Sequence, residues 1–122
     1  MRYVILRHEG IAEPHFDLMF ETLPGSALAT WRSACWPIQG PTPLHRLTDH
    51  RRNFLDFQGE ISRHRGWVKR VAAGECEVEV GDDALWTIRL RSGACVGELT
   101  LEWKNGDTWE GRPRGSSPFP KC

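Results

Sequence analysis

Short runs of alternating apolar and polar residues, separated by turn-forming residues, constrain the fold of this chain more than any other feature. In residues 15–21 the even positions are Phe16, Leu18 and Phe20, while the odd positions are mostly polar. This period of two predicts a β-strand with one buried face. No stretch has a 3.6-residue apolar period over three turns, so helices should be few and short. Asn105-Gly106 is the strongest hairpin signal in the chain.

The other predicted strands share this short length and these turn-like boundaries. They cover residues 3–8, 28–36, 67–71, 75–80, 84–90, 96–104 and 108–110, and residues 44–50 form either a strand or a turn. Many short strands at this spacing predict an all-β fold, a small closed or nearly closed antiparallel β-barrel. A chain of 122 residues is expected to form a single domain, here residues 1–111. Residues 112–122, rich in Pro, Gly and Ser, are expected to be a flexible C-terminal tail.

His8, His15 and Asp17 are the candidate metal ligands. His15 and Asp17 are two residues apart on one predicted strand, so their side chains should project from the same face and can bind one cation. His8 follows the preceding apolar run and would supply a third ligand if the two segments pair as a hairpin. The alternative is that all three side chains lie on the solvated face of an edge strand. The sequence leaves both interpretations open.

The net charge is zero, which argues against a protein that coats nucleic acid non-specifically. The charges are unevenly spread, because residues 45–70 carry seven Lys and Arg against three acidic residues, and residues 75–83 carry five acidic residues and no Lys or Arg. Together with His45, His50 and His64, the basic stretch would suit a ligand that bears phosphate. The alternative is an ordinary solvated surface whose charges balance across the fold.

The four cysteines, Cys35, Cys76, Cys95 and Cys122, include no Cys-x-x-Cys pair, so the sequence predicts neither a zinc ribbon nor a redox motif. No apolar run is long enough to cross a bilayer, and the N-terminus lacks the pattern of a secretory signal. We therefore expect a soluble, cytoplasmic protein with reduced, mostly buried thiols.

Four motifs occur in order along the first half of the chain. They are Arg2-Tyr3-Val4-Ile5 followed by His8, then His15-Phe16-Asp17, then Thr48-Asp49-His50, and finally Phe-Leu-Asp-Phe-Gln-Gly-Glu-Ile at 54–61. In order and spacing this set resembles the 3′-phosphoesterase domain of the bacterial DNA repair ligase called ligase D. That family reads roughly R-[FY]-V-[IV]-x-x-H, H-Y-D-F-R and E-D-H-P-L-D-Y-x-x-F-E-G-x-I. The resemblance covers residue 1 to about residue 75 and implies a stand-alone relative, without the polymerase and ligase domains.

The resemblance implies a small β-barrel hydrolase for DNA repair by non-homologous end joining. Such an enzyme removes a terminal phosphate or ribonucleotide from a 3′ end and leaves a hydroxyl that can be joined. The family uses a divalent metal, typically manganese, whose ligands match His8, His15 and Asp17. The histidine that contacts the scissile phosphate matches His50, which would bind the phosphate or protonate the leaving oxygen. His15 and His50 are therefore the implied catalytic residues.

The resemblance also implies partners. These are DNA or RNA 3′ ends and, in addition, a DNA ligase or end-joining proteins. We expect a monomer that does not associate with membranes.

Two residues depart from the family pattern. The family's arginine two residues after the metal-binding aspartate is Met19 here, which replaces a bidentate phosphate ligand with a thioether. The family's tyrosine four residues after the phosphate-binding histidine is Phe54, which lacks the hydroxyl. Candidates to bind phosphate in place of the missing arginine are Arg46, Arg51, Arg52 and Arg7.

These departures keep two further functions open. The first is a module of the same fold that binds nucleic-acid ends or phosphate but has weakened catalysis. The second is a structural barrel whose histidines only satisfy local hydrogen bonds.

Overall fold

The computed structural model describes residues 1–114, which form nine β-strands and one short 3₁₀ helix, η1. The strands are β1 (Arg2–Glu9), β2 (His15–Glu21), β3 (Leu28–Ser33), β4 (Thr42–His50), β5 (Gly59–Glu60), β6 (Trp67–Asp82), β7 (Leu85–Leu90), β8 (Gly97–Asn105) and β9 (Thr108–Pro113), and η1 spans Arg52–Leu55. Among these residues no helix is long and apolar enough to cross a membrane.

The strands form one antiparallel sheet that closes into a ring. Its order is β1-β2-β3-β4-β9-β8-β7-β6, and β6 pairs again with β1. The length of β6 makes this closure possible, because residues 67–75 pair with β1 while residues 76–82 pair with β7. The short strand β5 adds to the start of β6. The predicted all-β, nearly closed antiparallel barrel is therefore confirmed.

Three differences from the predicted element boundaries matter for the fold. The two strands predicted at 67–71 and 75–80 are one continuous strand, β6, and β3 ends at Ser33 rather than at residue 36. Strand β9 continues to Pro113, and Arg112 pairs with Thr100 of β8, so pairing extends two residues into the predicted tail. Residues 115–122 of that tail lie outside the described residues.

Two apolar clusters lie on opposite faces of the first strands. The larger cluster fills the barrel and includes Tyr3, Ile5, Leu18, Phe20, Trp31, Ile88, Leu99 and Leu101. The smaller cluster includes Val4, Leu6, Met19, Leu28, Leu55 and Val68. It lies beneath residues 51–66, which we call the covering segment, and Phe54, Phe57 and Ile61 of this segment pack against it. Strand β2 is consequently buried on both faces, whereas the alternation predicted only one buried face.

Two further expectations are wrong in detail. The alternation of residues 96–104 predicts that Trp103 points inward with Leu99 and Leu101, but Trp103 is 46% exposed, and its Nε1–H donates a 2.8 Å hydrogen bond to the Gly106 carbonyl. The thiols were expected to be reduced and mostly buried, but among residues 1–114 Cys76 alone is a free buried thiol, since Cys35 is free and exposed. Cys95 is disulfide-bonded.

Candidate metal centre

The β1–β2 hairpin brings His8, His15 and Asp17 together. His8 lies directly opposite His15, and Asp17 lies opposite Leu6, so the three side chains share one face of the sheet. Asp17 Oδ1 is 3.2 Å from His15 Nε2, and Asp17 Oδ2 is 3.8 Å from His8 Nδ1. One ligand atom from each residue lies within 4.8 Å of the others. The hairpin on which the sequence hypothesis depended is therefore present.

Backbone carbonyl groups orient both imidazole rings. The Nδ1–H of His15 donates to the Glu13 carbonyl at 2.9 Å, and the Nε2–H of His8 donates to the Arg65 carbonyl at 2.8 Å. Because a carbonyl oxygen only accepts hydrogen bonds, the ring nitrogen that faces it carries the proton. In the neutral rings the opposite nitrogens, His15 Nε2 and His8 Nδ1, then present lone pairs toward Asp17. Such outer hydrogen bonds are typical of histidines that bind metals.

Burial distinguishes this group from an ordinary polar surface. His15 is 4% exposed and Asp17 is 5% exposed. In the described part of the chain, His15 Nε2 and Asp17 Oδ1 are buried without a hydrogen-bond partner, an arrangement that native proteins rarely leave unsatisfied. Strand β2 also pairs on both sides, with β1 and β3. The alternative of a solvated face on an edge strand is therefore wrong.

The donor set fits a divalent cation. Two atoms that are each about 2.2 Å from one ion lie at most about 4.4 Å apart, and both contacts of Asp17 meet that limit. Two imidazole nitrogens and one carboxylate suit first-row transition metals, and three protein ligands leave coordination positions for water or substrate. His8, His15 and Asp17 could therefore hold such an ion.

A cavity of about 220 Å³ connects this group to His50. Its lining includes His8, Asp17, Met19, His50 and Phe54. The Nδ1–H of His50 donates to the Thr48 carbonyl at 2.9 Å, which orients the ring and leaves Nε2 available to a ligand. The His50 ring centroid is 5.6 Å from that of Phe54. The predicted phosphate-binding histidine therefore shares one cavity with two of the three candidate metal ligands.

The two departures from the family pattern also lie at this cavity. Met19 is 1% exposed and belongs to the apolar cluster beneath the covering segment. Phe54 lies in η1, at the edge of the same cluster. Both side chains present apolar surface beside His50, so neither supplies a charge or a hydroxyl to the cavity.

Three of the four candidate arginines bind carboxylates of this chain. The Arg52 guanidinium pairs with Glu21, Arg7 pairs with Glu9, and Arg46 lies 3.7 Å from Asp49. Arg7 belongs to the opposite face of β1 from His8, because the two are adjacent in a strand. Arg46 is stacked on tryptophan rings, and burial lowers the pKa of its guanidinium. Arg51 lines a depression of about 620 Å³ that it shares with His50.

The sequence hypothesis missed two arginines, Arg32 and Arg65, that line the same cavity as His8, Asp17 and His50. Arg32 lies directly opposite Asp17 in the β2–β3 pair, so the register of that hairpin was the signal that could have found it. Arg65 belongs to no motif, and its contribution includes a backbone carbonyl, which residue identity does not reveal.

Comparison of the sequence with known proteins finds no family model that matches the chain and no curated protein that matches it. The candidate site therefore rests on its own geometry and on the motif resemblance.

Proposed function

We propose that the protein is a metal-dependent phosphoesterase that acts on nucleic-acid 3′ ends, where it removes a terminal phosphate or ribonucleotide in DNA end repair. One observation carries this proposal: His8, His15 and Asp17 lie close enough together to hold a metal ion, and two of them, His8 and Asp17, share one cavity with His50. Phosphoesters are a natural substrate class for a divalent cation next to a histidine. The choice of 3′ ends rests on the ordered motifs of the ligase D resemblance.

In the proposed mechanism the chain holds and orients the reacting phosphate. His8, His15 and Asp17 would bind the ion, manganese in the resembled family, which polarises a phosphoryl oxygen when bound. His50, held by the Thr48 carbonyl, would donate from Nε2 to a phosphate oxygen or to the leaving oxygen when it is protonated. The covering segment lines one side of the cavity through Phe54, Ile61 and Arg65.

The product of this reaction is a 3′-hydroxyl end, which is what a nucleic-acid ligase joins. We therefore propose a DNA ligase or another end-joining protein as the partner that uses the product.

The direct test incubates the pure protein and Mn²⁺ with labelled strands that end in a 3′-phosphate or a 3′-ribonucleotide. We expect Mn²⁺-dependent conversion to 3′-hydroxyl ends. Asp17→Ala should lose both metal binding and turnover, whereas His50→Ala should bind metal but turn over slowly. Asp83→Ala, which changes an exposed carboxylate in the β6–β7 turn, is the matched control and should remain active. Full turnover in Asp17→Ala would contradict the proposal.

A second candidate function is a module that binds 3′ ends without efficient catalysis. The observation that favours it is the apolar lining at Met19 and Phe54, where the family has an arginine and a tyrosine. In this case the labelled ends bind in the presence of Mn²⁺ but remain unprocessed. Phe54→Tyr places a hydroxyl near the His50 ring, and a gain of turnover in that variant, with unchanged metal binding, would identify the missing group. If elemental analysis of the purified protein detects no metal and the protein has no affinity for nucleic acid, the barrel is purely structural.

A further inference from the structure

We infer that Arg32 is the side chain that binds the terminal phosphate of the substrate beside the metal centre, an inference that rests on the proposed function for the nature of the ligand. Arg32 belongs to none of the motifs that carry the family resemblance. Three features support the inference. They are the position of Arg32 in the sheet, the absence of an ion pair within residues 1–114, and the chemistry of guanidinium groups.

The register of the sheet places Arg32 on the metal-binding face. In the β2–β3 pair, Arg32 lies directly opposite Asp17. Residues that are directly opposite in an antiparallel pair project to the same face, so the Arg32 side chain leaves the sheet on the side of His8, His15 and Asp17. It lines the 220 Å³ cavity together with Asp17 and His50.

Arg32 also connects that cavity to the open surface. It lines a second, more open depression of about 550 Å³ together with His45 and His50. His45 lies directly opposite Arg32 in the β3–β4 pair, so Asp17, Arg32 and His45 form one row across three strands. A phosphate that reaches the metal centre from the β4 side therefore passes the Arg32 side chain.

Arg32 has no ion-pair partner among the residues that the structure describes. Within residues 1–114, Arg32 has neither an ion pair nor a side-chain hydrogen bond. By contrast, Arg52 and Arg46 have carboxylate partners, and the Arg65 guanidinium donates to the carbonyl and hydroxyl oxygens of Ser62. An exposed guanidinium without a counter-charge, next to a candidate phosphate site, is free to bind an anion.

The guanidinium group suits a terminal phosphate. Its planar fork donates two parallel hydrogen bonds to phosphate oxygens, which an ammonium group cannot do in the same geometry. A terminal 3′-phosphate carries more negative charge than a 3′-hydroxyl end, so Arg32 should favour phosphorylated ends over unphosphorylated ones. General attraction to the nucleic-acid backbone would instead affect both kinds of end equally.

The test measures binding rather than turnover. Fluorescence anisotropy follows labelled strands that differ only in a 3′-phosphate or a 3′-hydroxyl, at one salt concentration and in EDTA, so that the phosphate is not removed during the measurement. We expect Arg32→Ala and Arg32→Gln to weaken binding of the phosphorylated strand by about 10- to 100-fold and binding of the hydroxyl strand by less than about threefold. Arg32→Lys should fall between these variants and the unchanged protein.

Two controls separate this role from general effects. Lys69→Ala removes an exposed cation of β6 that does not line the cavity, and it should weaken both strands equally and slightly. The Mn²⁺ affinity of Arg32→Ala, measured by calorimetry, should stay within about twofold of the unchanged protein. Because Arg32 is exposed, these variants should fold normally.

Equal weakening of the two strands in Arg32→Ala, or no weakening, would overturn the inference. It is also overturned if the unchanged protein binds both ends equally. The proposed function can fail separately, since tight binding of the phosphorylated end that depends on Arg32, without any hydrolysis, contradicts the esterase and leaves the role of Arg32 intact. Efficient hydrolysis with unchanged phosphate binding in Arg32→Ala contradicts only the inference.

Discussion

The Nε2 atom of His15 lies 3.2 Å from Oδ1 of Asp17, and in residues 1–114 neither atom has a hydrogen-bond partner. Because the Glu13 carbonyl accepts from Nδ1–H of His15, the two facing atoms are both acceptors when the imidazole is neutral. Two buried acceptors in contact are unfavourable unless a proton or a metal cation lies between them. The arrangement therefore favours binding of a metal at the expense of the stability of the metal-free protein.

Replacing Asp17 with asparagine should affect the metal-free and metal-bound proteins in opposite ways. The asparagine side chain would remove a buried charge and offer an amide donor to His15 Nε2, so in EDTA the Asp17→Asn variant should unfold at the same temperature or higher. Mn²⁺ at about 100 times its dissociation constant should stabilise the unchanged protein by about 2.7 kcal/mol and leave the variant unaffected. Thermal unfolding with and without Mn²⁺ measures both effects. Equal stabilisation of both proteins by Mn²⁺ would contradict the assignment.

The ion pair between Glu21 and Arg52 should make stability depend on pH. Burial raises the pKa of the Glu21 carboxyl, but hydrogen bonds from Arg52 and from the backbone N–H groups of Arg2 and Gly25 outweigh it, so the net pKa is below its ordinary value of 4.5. A carboxyl with a lowered pKa in the folded state stabilises the fold above pH 4.5, and this contribution is lost as the pH falls through the lowered pKa.

Glu21→Gln should therefore cost about 1–3 kcal/mol at about pH 7, and the variant should lose less stability than the unchanged protein between about pH 7 and about pH 3. Urea unfolding at several pH values measures this difference. Glu77→Gln, which changes an exposed ion pair with Arg89 and Arg91, is the matched control and should have a smaller effect. Parallel pH profiles for Glu21→Gln and the unchanged protein would exclude this role of Glu21.

Local sequence patterns were sufficient to predict most strands of the barrel. The strand predicted at residues 15–21 and the Asn105-Gly106 turn between β8 and β9 are both present. Local patterns could not show that β6 is one strand, because a continuous strand that pairs with β1 and then with β7 depends on closure of the whole ring. They also could not show that β2 is buried on both faces. Its outer face is covered by the covering segment, which is distant from β2 in sequence.

In the candidate site, too, local patterns predicted some residues, whereas others depend on the tertiary structure. His8, His15 and Asp17 could be predicted because a hairpin and a two-residue spacing determine their proximity. Which arginine would be available to phosphate could not be predicted from charge alone. Arg52 was equally basic in sequence, but Glu21 lies close enough to bind it, whereas Arg32 forms no ion pair within residues 1–114. Which arginine stays free depends on the tertiary positions of the acidic residues.

Gly93 should tolerate no side chain. Its φ of +101° lies in the region that favours glycine, and an added Cβ would lie 2.0 Å from the Ala73 carbonyl oxygen and 2.8 Å from the Tyr3 hydroxyl. That hydroxyl donates to the Ser92 carbonyl at 2.8 Å. Gly93→Ala should therefore cost about 3 kcal/mol or more. Gly106→Ala, where the φ is +49° and the surrounding space is open, should cost about 1 kcal/mol. Similar urea-unfolding midpoints for the two variants would contradict this account.

Arg46 should stabilise the barrel rather than bind phosphate. Its guanidinium carbon lies 4.2 Å from the ring centroid of Trp31, 5.0 Å from that of Trp86 and 5.8 Å from that of Trp109. A cation that is partly desolvated over an aromatic face contributes about 1–2 kcal/mol. Arg46→Met, which keeps an unbranched side chain without the charge, should lower the free energy of unfolding by about that amount and change tryptophan fluorescence.

The same variant separates Arg46 from Arg32 in function. Because its guanidinium is already stacked and lies 3.7 Å from Asp49, Arg46 has little capacity left for a ligand. Arg46→Met should therefore bind 3′-phosphorylated strands within about twofold of the unchanged protein, although it is less stable. Arg32→Ala should show the opposite combination, with weakened phosphate binding and unchanged stability. If Arg46→Met loses phosphate binding at full stability, Arg46 belongs to the phosphate site after all, and its tryptophan contacts are incidental to the stability of the barrel.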